Sequence, residues 1–265
     1  MCKSAENKGI SGSAMKMIAI VSMLIDHIGA SSLLAVIEQD PANYKTNGTM
    51  NATAIVMVYF ALRWIGRLSF PIFIFILIEG YTHTKNRWMY LLRLFLFAFI
   101  SEVPFDLALN IKADRIRSGQ FLEFTYQNVF FTLVIGFLVI IAIDTFWHTG
   151  YELQMRLSLC VISIGAGCAL AWIMKTDYDA WGVASIALAY VIRRVDNRFR
   201  MAGPCLLLSV MQLAEGLLPT EMFSLFALWP AKHYNGKRGR DMRWFFYFFY
   251  PAHFLILGFV KLMLA

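Results

Sequence analysis

Apolar residues along this chain fall into long runs with short polar breaks between them, at 14–37, 52–81, 88–109, 128–147, 155–174, 181–192, 202–217, 222–229 and 244–264. A helix needs about 20 mostly apolar residues to cross the hydrocarbon of a bilayer. The pattern therefore predicts an all-α fold, a polytopic integral membrane helical bundle of about nine transmembrane helices. The range is about eight to ten, because the sixth and eighth runs are short enough to tilt, recruit flanking residues or form half-helices. The second run carries Arg63, Arg67 and Pro71, so part of it is expected to lie along the interface before the chain turns inward. A short segment, 1–13, precedes a single membrane domain, 14–265.

Composition supports lipid as the solvent. Of the 265 residues, 59% are hydrophobic and 15% charged, whereas about 25% of an average soluble domain is charged. The net charge of +7 sits in short clusters between apolar runs, which fits membrane topology and excludes a nucleic-acid partner. Lys and Arg favour the cytoplasmic side. Lys3, Lys8 and Lys16 thus place the N-terminus in the cytoplasm, and with about nine passes the same side receives Lys85 and Arg87, Arg193 to Arg200, and Lys232 to Arg243. The opposite side receives Glu38, Asp40, Asp177, Asp179, Glu215 and Glu221, with one discordant basic loop at Lys112, Arg115 and Arg117. The four cysteines have no metal-ligand spacing, so neither a disulfide nor a metal is expected. Asp26 and His27 in the first run argue against a cleaved signal peptide and for a retained helix.

An ionisable side chain in an apolar run needs a partner, a wet cavity or a chemical role. Lys16 and His27 are eleven residues apart, which puts them on one helix face about 16 Å apart along the axis. Asp26 lies about 100° around the same helix, away from that face. Arg63 and Arg67 are an i,i+4 pair that needs an anion, such as a phosphate, a lipid headgroup or the carboxylate of Glu102 or Asp106. Pro104 is expected to break its helix between those two carboxylates. Gln127 and Asn128 would cap the next helix, and Asp177, Tyr178 and Asp179 occupy a tight turn. His253, two residues after Pro251, is expected on a face turned to the bundle interior.

Several blocks in order resemble the TraX family: Lys16 to Gly29 with Asp26-His27, Gly66-Arg67-Leu-Ser-Phe-Pro71 with Glu79-Gly80, Ser101-Glu102-Val-Pro104-Phe-Asp106, Asn128 to Leu133, Asp177-Tyr178 with Trp181-Gly182-Val183, and Phe249-Tyr250-Pro251-Ala-His253. Together they cover nearly the whole chain. That family takes its name from a conjugative-pilus protein that acetylates the pilin N-terminus, and it is similar to membrane acyltransferases of the acyltransferase-3 group, whose first helix carries Arg or Lys, ten residues, then His. Lys16 and His27 have that spacing.

The resemblance implies a membrane-embedded acyltransferase in a bacterial plasma membrane. Acetyl-CoA would be the donor, and a peptide or pilin N-terminus, a glycan or a small molecule the acceptor. In that reading His27, with Asp26 beside it, is the general base or acyl carrier, Glu102 and Asp106 bind or deprotonate an amine acceptor, and Lys16, Arg67 and, by its helical pairing with Arg67, Arg63 hold the phosphates of CoA. Two alternatives stay open on the residues alone, a proton-coupled permease and a pilus or conjugation assembly factor without chemistry.

Overall fold

The computed structural model describes residues 9–39, 50–195, 201–214 and 220–264. Among these the chain is helical apart from turns, loops and two isolated β-bridges. Helix α1, Gly12–Ile28, passes through a π turn at Gly29–Leu33 into α2, Leu34–Gln39. Its start is capped by Ser11, whose hydroxyl accepts from the Ala14 N–H at 3.3 Å. The expected second run is two helices, α3 at Met50–Gly66 and α4 at Ser69–His83. They separate at a turn through Arg67 and Leu68. Pro71 sits in the first turn of α4, where its missing N–H leaves no bond unmade.

Helix α5, Arg87–Phe105, contains Pro104 without ending there, and continues as a π turn at Asp106–Asn110. The break expected at Pro104 does not occur: the helix runs through the proline and widens only beyond it, at Asp106–Asn110. A short helix α6, Ala113–Arg117, and a loop lead into α7, Val129–Trp147. Then follow α8, Leu153–Met174, and α9, Asp179–Val195, joined by a turn in which Lys175, Tyr178 and Asp179 take positive φ. Helix α10, Ala202–Ala214, a 3-10 stretch at Thr220–Ala227, the short α11 at Leu228–Lys232 and α12, Arg243–Leu264, complete the chain.

Eleven residues of α7 are buried, and the helix is apolar all round, which makes it central. It packs on α5, α8 and α9. Its approach to α9 is close at Gly136, where any Cβ would overlap Ile186. Outward faces are apolar as well, with Phe95, Phe99 and Ile100 on α5, Val161, Ile162 and Ile173 on α8, and Ile256, Phe259 and Met263 on α12 all exposed. A surface of that kind suits lipid better than water. Among the described residues, five helical stretches are long and apolar enough to cross a membrane: Gly12–Glu38, Thr53–His83, Val129–Trp147, Leu153–Met174 and Arg243–Leu264.

Two ends of the bundle are distinguishable. At one, Ile10 pairs with Tyr234, and Asp144 near the end of α7 draws in Arg87 from α5, Tyr81 from α4, and Tyr190 and Arg194 from α9. At the other, Gln127 pairs with Thr176, and Lys261 donates to the carbonyls of Ala108 and Ile111 at 3.1 and 2.8 Å. Of the charges used to orient the chain, Lys3, Lys8, Asp40, Glu215 and the 196–200 stretch lie outside the described residues.

Candidate functional site

A cavity of about 700 Å³ opens at the end marked by Ile10 and Tyr234, between α1, α4, α5, α7 and α12. Cations dominate its polar lining, namely Lys16, Lys85, Arg93, Arg238 and Arg243, with Glu79 as the carboxylate among them. Some of this charge is already engaged. Arg238 and Arg243 lie 3.2 and 2.7 Å from Asp241, which the guanidinium of Arg243 holds below the ordinary carboxylate pKa. Glu79 lies 3.5 Å from Arg193. Lys16 rests over the ring of Phe246, 5.0 Å from its centroid. Deeper walls are aromatic, with Tyr90, Phe130, Tyr247 and Tyr250. A polar, cationic mouth above an aromatic and aliphatic throat suits an amphipathic anion: phosphates outside, an uncharged arm within.

Two helices carry the lining inward. On α1 the cavity residues are Gly12, Lys16, Ile20 and Met23, steps of three and four that trace one face. The next position on that face is His27. On α12 the lining residues include Arg243, Phe246, Tyr247 and Tyr250, and the next inward position is His253. The two histidines meet: His27 Nδ1 is 2.8 Å from His253 Nε2. His253 Nδ1 lies 3.0 Å from the Phe249 carbonyl on its own helix. Phe254 stacks on His27 at a 4.5 Å centroid distance, and Tyr250 meets His253 edge-on at 5.6 Å. The cavity thus leads, one helical turn beyond Met23 and Tyr250, to a pair of imidazoles, His253 buried and His27 half-buried.

The other expected site residues are placed as follows. Asp26, next to His27 but around the helix from it, accepts from Arg63 at 2.7 Å and lies 3.5 Å from Arg67. The anion that the arginine pair needs is therefore Asp26 rather than Glu102 or Asp106. Gly66 makes the contact possible, since any side chain there would overlap the Asp26 carboxylate. Glu102 and Asp106 face the opposite end of the bundle. Glu102 Oε2 accepts from the Asn128 side-chain amide at 2.5 Å and its backbone N–H at 3.3 Å, while its Oε1 is buried without a partner. Asp106, fully buried, accepts from Asn110 at 2.7 Å and from the Glu123 N–H at 2.8 Å. Lys16 and His27 share the cavity face, whereas Arg63, Arg67 and Asp26 form a separate knot between α1 and α3.

Sequence reasoning passed over Arg93 and Tyr247 of the cavity, and Asp144. Arg93 and Asp144 lie inside apolar runs, and the rule that singled out His27 would have found both. Tyr247 carries no such signal among so many aromatics.

A family model described as TraX protein matches residues 11–261. The probable fimbrial assembly protein FimC, serogroup H1, of Dichelobacter nodosus is 28% identical over 281 positions, which cover 98% of this chain and 99% of that protein. No solved structure matches the chain.

Proposed function

The chain belongs to the TraX family, and from that premise we propose that it is a membrane-embedded acyltransferase that moves an acetyl group from acetyl-CoA to an amine or hydroxyl. The observation that carries this reading is the cation-mouthed cavity whose α1 and α12 faces both run inward to the His27–His253 pair. Lys16, Arg238 and Arg243 would hold the donor's phosphates at the mouth, and the uncharged arm would extend down the aromatic throat. The Lys16–His27 rise of about 16 Å then separates the binding charge from the reacting centre.

There the acceptor N–H or O–H attacks the thioester carbon, and His27 takes its proton as the new C–N or C–O bond forms. The C–S bond breaks, and the departing thiolate takes that proton from the imidazolium, leaving free CoA and neutral His27. About nine passes, with the N-terminus and the cavity mouth on the cytoplasmic side, give the donor access from the compartment where CoA is made. The acceptor we favour is a peptide or pilin N-terminus, because the Dichelobacter relative is named for fimbrial assembly.

Purified protein incubated with labelled acetyl-CoA and a pilin-like peptide should release free CoA. His27→Gln keeps hydrogen bonding but loses the titratable nitrogen, and should lower turnover by about 10² to 10⁴ while CoA still binds. Lys16→Ala should instead raise the donor KM with a smaller loss at saturation. Near wild-type turnover in His27→Gln would remove His27 from catalysis. An assembly role without chemistry is the second reading, favoured by the same relative's name. It requires that His27→Gln support assembly as well as the native chain does.

A further inference from the structure

We propose that His253 is a positioning residue that fixes His27 in the tautomer with its proton on Nδ1, leaving Nε2 as the nitrogen that takes the acceptor's proton. The inference deepens the acyltransferase reading and rests on His27 being the base. Its argument begins at Phe249. A carbonyl oxygen can only accept, so the 3.0 Å contact between Phe249 O and His253 Nδ1 places a proton on that nitrogen. A neutral His253 then presents a lone pair at Nε2. His27 Nδ1, 2.8 Å away, must be the donor. One proton remains for the His27 ring, so its Nε2 is bare.

Neutral rings fit the surroundings. The neighbours packed on the pair are Phe249, Tyr250 and Phe254, and the adjacent carboxylate of Asp26 is taken by Arg63 and Arg67. A cationic ring in that setting would lack a counter-ion. The backbone carbonyl thus plays the orienting part that a carboxylate plays in other base pairs, with one further imidazole interposed. During transfer Nε2 gains and then loses a proton, while Nδ1 keeps its own throughout.

The test needs no turnover. In full-length protein labelled with ¹⁵N at histidine and held in nanodiscs, the five histidines can be assigned by comparison with His27→Gln and His253→Gln. At a pH well above the ordinary histidine value of about 6.5, His27 is expected to show a protonated Nδ1 and a bare Nε2, with His253 also protonated at Nδ1. His253→Phe keeps a ring but no acceptor, and should abolish the Nδ1 preference of His27. His253→Gln offers an amide oxygen and should restore it.

A proton on His27 Nε2 in the native protein, or an unchanged tautomer in His253→Phe, overturns the proposal. If His253→Phe does not fold, the native spectrum alone decides. Turnover adds a second reading: His253→Phe should lower kcat about 10²-fold with donor KM unchanged, and His253→Gln should recover part of it. The expected tautomers in a protein that releases no CoA would leave the positioning intact and reject the acyltransferase.

Discussion

Asp26 shows what a buried charge does when its neighbours answer it. Its carboxylate, 13% exposed, sits between two guanidinium groups that would otherwise repel each other one helical turn apart on α3 and the turn that follows it. Removing one partner of such a pair leaves uncompensated charge, which costs about 3 kcal/mol. Asp26→Asn should therefore lower the thermal midpoint in detergent, and a double change with Arg63→Gln should recover part of the loss. Arg67→Lys separates the structural role from the donor-binding role that the family resemblance implies. Lower stability with an unchanged donor KM places Arg67 in the Asp26 knot, and a raised KM at unchanged stability returns it to the donor's phosphates.

Between helices, Asn128 does the most with one side chain. Its Oδ1 caps α7 by accepting from the Phe130 N–H at 3.0 Å, and its amide donates to Glu102 and to the Ala98 carbonyl. It thereby ties the start of α7 to the end of α5. Asn128→Ala should lose about 1 kcal/mol for the cap and a further 1–3 kcal/mol, roughly, for the Glu102 carboxyl left buried without its donor. A shift of the unfolding midpoint by several degrees would show it, and an unshifted midpoint would mean that water replaces the amide. The cap itself was legible in the sequence, because Asn before a long apolar run is a helix-start signal. Its second job was not, since which carboxylate lies within reach depends on how α5 and α7 cross. The same holds at Asp26 and His253. Spacing on one helix gave the face shared by Lys16 and His27, but a contact between residues 226 positions apart depends on packing that no periodicity within α1 or α12 encodes.

Across the whole molecule, the distribution of charge between the two ends argues for one orientation. The cavity end gathers Lys85, Arg87, Arg156, Arg193, Arg194, Lys232, Lys237, Arg238, Arg240 and Arg243, against Glu79, Asp144, Glu152 and Asp241. The other end has Lys112, Arg115, Arg117 and Lys175 against Asp114, Glu123, Asp177 and Asp179, a balanced set that explains why the basic loop there need not be cytoplasmic. The rule that keeps Lys and Arg inside favours the proposed orientation, with the cavity mouth towards the cytoplasm. Ile10 pairing with Tyr234 brings the N-terminal segment to the same end. Single cysteines at Lys85, Gly150 and Lys237, placed in a chain freed of its own cysteines, should resist an impermeant thiol reagent in intact cells and react once the membrane is opened. One at Ser118, exposed and with an ordinary negative φ at the end of α6, should react from outside. Labelling of two of the three cavity-end sites in intact cells would invert the orientation and put the proposed donor site on the side of the membrane without CoA. The acyltransferase reading and the topology would then fall together.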